Sequence, residues 1–160
     1  MESIDLEKLE KRARNILLFQ LGRSMKTEHQ LRLLLAKREI PSEVVEPLLA
    51  RFVEAQLIDD SLYARSFVSA RLAAGGKSIS MLRRELKQKG VDDERIQDAL
   101  SDLDAEQEFE IALKLARSRA ARMSSLEPEK RRRRLLGVLM RRGFSGAVAS
   151  RAMAQVLAEE

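Results

Sequence analysis

An all-α fold of three tandem three-helix modules, each with a helix-turn-helix-like outline, is predicted by three features of this 160-residue sequence. Tight turns stand at Lys37-Arg38-Glu39-Ile40-Pro41, Gln88-Lys89-Gly90-Val91-Asp92 and Arg141-Arg142-Gly143-Phe144-Ser145, and their apolar residues Ile40, Val91 and Phe144 are 51 and 53 residues apart. The apolar positions around the turns repeat as well. Leu31 and Leu35 answer to Leu82 and Leu86, then to Leu135 and Leu139; Val45, Leu48, Leu49 and Phe52 answer to Ile96, Ala99, Leu100 and Leu103, then to Ala149, Ala152, Met153 and Val156. No stretch alternates apolar and polar residues long enough to argue a sheet, and self-similarity of this period marks a modular array.

The modules are read as residues 1–57, 58–103 and 104–160. A unit of about 50 residues buries little apolar surface alone, so neighbouring modules are expected to share cores. The absence of cysteine excludes a disulfide framework and a thiolate metal site, and suits a cytoplasmic setting. The acidic start Met1-Glu2-Ser3-Ile4-Asp5 precedes no long apolar run, so neither a secretory signal nor a transmembrane stretch is expected.

Taken in order, Leu6 to Leu21 reads as a helix with an apolar face of Leu9, Ala13, Ile16, Leu17 and Leu21. Thr27 is placed to cap the second helix, which carries Leu31, Leu34 and Leu35 on one side. Ser42 is expected to cap the third. Pro47 then falls in or just after its first turn, or kinks it, because proline has no amide hydrogen and its ring crowds the preceding turn. Asp59 or Asp60 caps a helix from Ser61 to Ala73, ended by Gly75 and Gly76; Ser78 caps the helix ending at Gly90; Asp92 or Asp93 caps the one from Glu94 to Leu103. The third module repeats this order over Asp104 to Arg122, Glu127 to Arg142 and Ser145 to Leu157, with Pro128 in a first turn, where it is tolerated. Gly90 and Gly143 suit the left-handed residue that commonly ends a helix, and Glu39 in the equivalent place implies a first turn that differs in detail.

The formal charge of +5 is unevenly spread: residues 1–57 contribute +1, residues 58–104 −1 and residues 105–160 +5. From Arg65 to Val91 seven basic residues, Arg65, Arg71, Lys77, Arg83, Arg84, Lys87 and Lys89, face one acid, Glu85. A second basic run, Lys130-Arg131-Arg132-Arg133-Arg134, is followed by Arg141 and Arg142. With 21 Arg against 9 Lys, the chain favours the planar fork that suits carboxylate and phosphate alike. Arg65, Arg71, Lys77, Arg83, Arg84, Lys87, Lys89, Arg131, Arg132, Arg133, Arg134, Arg141 and Arg142 are therefore the candidate binding residues. Each admits a plainer reading. Arg83, Arg84, Lys87 and Lys89 suit a solvated face near a helix C-terminus, and the arginine run suits stems lying along a core edge with their heads in water. Arg141 and Arg142 share the helix-end reading.

Other residues carry less chemistry. The Asp59-Asp60 pair invites a carboxylate dyad, but helix capping explains it. His29 is the only histidine and has no cysteine beside it, which argues against a transition-metal site. Tyr63 could stack on a base or a partner, but packing between modules with its hydroxyl at the surface is the favoured reading. Phe19, Phe52, Phe67, Phe109 and Phe144 fall on apolar faces and read as core. No glycine-rich phosphate loop, nucleophile with a base, or metal-ligand cluster appears, so neither catalysis nor a cofactor is expected.

Three stretches resemble the signatures of RecX regulatory proteins: Leu57-Ile58-Asp59-Asp60-Ser61-Leu62-Tyr63-Ala64-Arg65-Ser66-Phe67, Leu82-Arg83-Arg84-Glu85-Leu86-Lys87-Gln88-Lys89-Gly90-Val91 and Leu139-Met140-Arg141-Arg142-Gly143-Phe144-Ser145. Their order and spacing match, and the resemblance runs from about Arg12 to the end of the sequence. Glu39-Ile40-Pro41 departs from the usual basic-Gly-apolar turn, and Ser80 and Met81 stand where the family often carries basic residues. The resemblance implies an elongated curved array that lies in the helical groove of the RecA filament on DNA and restrains ATP hydrolysis, strand exchange and co-protease action. It implies RecA as partner; the basic stretches add the expectation of weak, sequence-independent contact to single- or double-stranded DNA.

The rival reading is a helix-turn-helix regulator acting directly on DNA. The tandem occurrence of the motif argues against it, as do the basic residues on the helix before each turn. Asp93, Glu94, Asp98 and Asp102 on a helix after the turn would repel phosphates. No long heptad seam is present, and a monomer is expected.

Overall fold

The computed structural model describes the backbone of residues 2–160 and the side chains of residues 5–160. Met1 and the side chains of Glu2, Ser3 and Ile4, part of the stretch read above for a secretory signal, lie outside the described residues. Nine helices and no strand occur among them: α1 Glu2–Arg23, α2 Glu28–Lys37, α3 Ser42–Glu54, α4 Asp60–Ala73, α5 Ile79–Gln88, α6 Asp93–Leu100, α7 Ala105–Ala121, α8 Pro128–Arg141 and α9 Gly146–Ala158. They form three successive sets of three.

Most boundaries follow from caps written in the sequence. Thr27 accepts from the Gln30 amide while the Gln30 side chain accepts from the Thr27 amide, a reciprocal box that satisfies two of the free amides of a helix start. Asp104 and Gln107 repeat it on α7. Asp59 caps α4 through Leu62, Ser78 caps α5 through Met81, Asp92 caps α6 through Arg95 and Ser145 caps α9 through Val148. Three expectations need correction. Ser42 is not the cap of α3 but its first residue; Pro41 occupies the cap, with no side-chain bond, while Pro47 falls just after the first turn, as expected. α6 stops at Leu100, short of Leu103, because Asp102 and Asp104 favour turn and cap over helix. α1 runs past Leu21 to Arg23.

The first turn is also like the others, against expectation. Ile40 donates to the Leu35 carbonyl at 3.0 Å and Glu39 to the Ala36 carbonyl at 3.0 Å. Val91 donates to Leu86 and Gly90 to Lys87 in the same pattern, as do Phe144 to Leu139 and Gly143 to Met140. All three helices thus end in one left-handed closure, and the apolar residue after it folds back onto the helix. Glu39 adopts φ +62°, with Gly90 at +84° and Gly143 at +92°.

By its internal packing the chain forms two compact units, Met1–Ala64 with Leu86–Ile96, and Arg65–Glu85 with Gln97–Glu160. The first is built on a core that includes Ala13 and Leu17 of α1, Leu31 and Leu35 of α2, Ile40, and Val45, Leu48, Leu49 and Phe52 of α3. The second is built on Phe109, Ala112, Leu113 and Ala116 of α7, Leu135 and Leu139 of α8, Phe144, and Ala149, Ala152 and Val156 of α9. In the second set of helices Leu82, Leu86, Val91, Ile96 and Leu100, the residues that the repeat equates with these, are buried too.

Inside each unit one junction recurs. In the first, the Thr27 hydroxyl donates to the Lys89 carbonyl at 2.6 Å, and the first amide of α2, on Glu28, donates to the Asp60 carboxylate at 3.0 Å. In the second, the Ser78 amide donates to the Arg142 carbonyl at 3.0 Å, and the first amide of α5, on Ile79, donates to the Glu108 carboxylate at 3.1 Å. The cap of one module's second helix therefore receives the next module's glycine turn, and the next module's first helix supplies a carboxylate. Thr27 and Ser78 are fully buried polar residues; the Thr27 hydroxyl is satisfied by Lys89 and Gln30, and the Ser78 hydroxyl by the Met81 amide. Glycine is required at these turns for space as well as for φ. A Cβ on Gly90 would collide with the His29 side chain, and one on Gly143 would collide with Ser78 Oγ and lie 2.9 Å from Met81 Cβ. Glu39 is exposed, so its side chain has room.

Candidate functional site

Helix geometry decides which basic residues reach solvent. On α5, Leu82 and Leu86 point inward, which turns Arg83, Arg84 and Lys87 outward on one flank. On α8, Leu135, Val138 and Leu139 face the core, so Arg133, Arg134 and Arg141 lie on the opposite side and Arg132 flanks them; all four are exposed. On α4, Arg65 is exposed beside buried Ala64.

Partners divide the candidate cations further. Arg71 reaches Glu85 at 3.3 Å and lies over the Phe67 ring at 4.7 Å, and Lys77 bonds the other oxygen of the same carboxylate. Burial would raise the Glu85 carboxyl, but Lys77 and Arg71 outweigh it and hold it below the ordinary range. Arg142 donates to the Gly76 carbonyl at 3.0 Å. Arg131 is the one member of its run turned inward: it donates to the Ala120 carbonyl at 2.8 Å and grips Glu160 through two nitrogens, while its Nε is buried with no acceptor. These four bind the fold to itself. Lys87 pairs with Asp93 at 3.3 Å, both side chains largely in water, and Lys89 offers its carbonyl to Thr27. Arg65, Arg83, Arg84, Arg132, Arg133, Arg134 and Arg141 form no ion pair with any described residue, and all belong to the second unit.

The carboxylates of the sequence sort in the same way. Asp59 is a cap, and Asp60 serves the α2 start, so the two point to separate tasks rather than to a dyad. His29 packs on Gly90, and no group of residues able to hold a metal occurs among those described. No described helix is long and apolar enough to cross a membrane. Asp93, Glu94, Asp98 and Asp102 are exposed on and after α6, which gives that helix an acidic outer face.

Two features were missed by reading residues one at a time. Phe19, read as core, is 62% exposed on α1 and lies under the Arg23 guanidinium at 5.6 Å. The α1 stripe that packs inward is Ala13 and Leu17, with Leu9, Ile16 and Leu21 beside it, and Phe19 falls outside it. The Thr27 and Ser78 junctions were seen only as caps. Their separation of 51 residues, equal to that of Ile40 and Val91, was the available signal.

Comparison with known proteins supplies the lineage. The models of the three RecX three-helix domains match in order, the first at residues 13–52, the second at 59–100 and the third at 106–153. The regulatory protein RecX of Thermobifida fusca is 40% identical over 154 residues, 96% of this chain and 83% of that protein. That of Streptomyces coelicolor is 42% identical over 148 residues, 92% of this chain and 79% of that protein. A crystal structure of a regulatory protein RecX superposes with a TM-score of 0.76 at 31% identity, covering 93% of this chain and 73% of the other. That of RecX from Lactobacillus salivarius shares the fold, with a TM-score of 0.77 at 21% identity over 94% and 97% of the two chains. Three domains matched in sequence order and relatives aligned along most of their length place this chain in the RecX family of regulatory proteins, which act without enzymatic chemistry.

Proposed function

We propose that this chain binds the RecA nucleoprotein filament and restrains its ATPase, recombinase and co-protease activities, and that it does so in the cytoplasm as a monomer. The observation that carries the reading is the set of arginines in the second unit, Arg65, Arg83, Arg84, Arg132, Arg133, Arg134 and Arg141, that reach water with no ionic partner among the described residues. Unpaired arginine forks are suited to carboxylates on a protein and to phosphates on nucleic acid. Linked modules engage a polymer at several points, so individually weak contacts sum through effective concentration. The acidic outer face of α6 disfavours groove entry by the helix after the second turn, which turns the reading away from a sequence-specific DNA reader. Contact with DNA in the filament is then to the phosphate backbone, independent of sequence and steeply salt-dependent.

Co-sedimentation with RecA filaments tests the assignment of these arginines. Charge reversal at Arg83 and Arg84, or at Arg132, Arg133 and Arg134, is expected to weaken filament binding about tenfold or more with helix content intact. Undiminished binding by both variants would return these residues to the role of a solvated surface.

A further inference from the structure

The outward ridge of α1 has the chemistry of a docking site and, apart from the Arg23 guanidinium over Phe19, is used by none of the contacts described above. Lys11, Arg12, Asn15, Leu18 and Phe19 recur at helical spacing on one exposed side, opposite the stripe that packs into the core of the first unit. Phe19 and Leu18 are 62% and 49% exposed. The ridge borders an open groove of about 520 Å³ to which Arg38, at the end of α2, adds a third cation, while Asn15 and Gln20 add amides. No acidic side chain lines it. Glu10, the acid of α1 next to Lys11, is held by Arg51 and Arg14 on the other side of the helix, which keeps its carboxyl below the ordinary range. Two large apolar side chains left in water beside an uncompensated group of cations form a surface that a partner completes.

We infer that the Lys11, Arg12, Phe19 and Arg38 groove of α1 docks an acidic protein segment that carries an apolar anchor. Charge complementarity selects an anionic partner. The ring decides between protein and nucleic acid: the Arg23 guanidinium already lies over Phe19 at 5.6 Å, so the ring edge and the neighbouring Leu18 stay open to an aliphatic or aromatic side chain, whereas a stacking base would have to displace Arg23. Asn15 and Gln20 can hydrogen-bond the backbone of an extended segment. The inference takes its partner, the protein of the filament, from the proposed function, and adds a second contact in the first module, whose net charge is only +1.

Phe19→Ser and a Lys11→Glu, Arg12→Glu double variant are compared with the Arg132, Arg133 and Arg134 reversal. The readouts are co-sedimentation with RecA filaments and anisotropy of a fluorescent oligo-dT without RecA. All the altered side chains of α1 are exposed, so thermal melts should match the unaltered protein. The expected result is that both α1 variants lose about tenfold in filament affinity and keep their oligo-dT affinity. If they bind filaments normally while the α8 reversal does not, the α1 inference fails and the proposed function stands. If none of the variants loses filament binding, both fail. A parallel loss of oligo-dT binding by Phe19→Ser overturns the protein partner in favour of single-stranded nucleic acid.

Discussion

Thr27 and Ser78 are small polar residues in places where an apolar residue would be buried without cost, and each holds a helix start against a neighbouring turn. At Thr27 one hydroxyl serves two masters, accepting from the Gln30 amide and donating to the Lys89 carbonyl. Thr27→Val keeps the volume and removes both bonds. Chemical unfolding should show a loss of about 1–3 kcal/mol, against less than about 1 kcal/mol for Thr27→Ser. The turn residues differ for a second reason. Glu39 is an exposed non-glycine at φ +62°, so Glu39→Gly should raise stability by up to about 1 kcal/mol. Gly90→Ala meets His29 as well as an unfavourable φ and should lose more than about 1 kcal/mol. Equal effects at the two turns, measured by the same unfolding experiment, would mean that His29 does not constrain Gly90.

At the scale of the helices, the repeat makes the inward leucines equivalent. Leu35 and Leu139 are both fully buried, and truncation of either to alanine should cost about 2–5 kcal/mol. The α4 start adds a pH dependence. Asp60 is partly buried against the α2 start, and burial, reinforced by Glu28 and Asp92, raises its carboxyl despite the Glu28 amide and nearby Arg95. A raised carboxyl in the folded state means that folding retains a proton, so this contribution is present at low pH and is lost as pH rises from about 4 through the folded value. Asp60→Asn keeps an acceptor for the Glu28 amide and removes the titration. Relative to the unaltered protein it should gain stability as pH rises through that window, and a constant difference would refute the burial of Asp60. The helices themselves were legible because each carries its cap and its inward stripe in the sequence. The Ser42 cap failed because Pro41 already supplies the extended backbone that a cap position needs, and the length of α6 failed because a helix tail followed by two aspartates unwinds early.

At the scale of the molecule, sequence separated acidic from basic regions but not paired from unpaired charges, since pairing depends on contacts between helices. Glu85, counted as one acid against seven cations, proves to hold two of them, and Arg131 turns inward where its neighbours turn out. Phe19 was misplaced because a helix with a wide apolar face does not reveal which edge lacks a neighbour. What remains after these assignments is a modular body whose second unit carries arginines with no ion pair among the described residues; RecA as the partner rests on membership in the RecX family. Salt should separate the two anionic targets: a phosphate-dominated contact to naked DNA falls steeply between about 50 and 200 mM salt, and filament binding, held also by protein contacts, should fall less. The most direct measurement is ATP hydrolysis by RecA assembled on single-stranded DNA, titrated with this protein beside an unrelated DNA-dependent ATPase on the same DNA. The account predicts that RecA hydrolysis slows while the protein is still substoichiometric to RecA and that the unrelated enzyme is unaffected; equal inhibition of both at the same dose would contradict it.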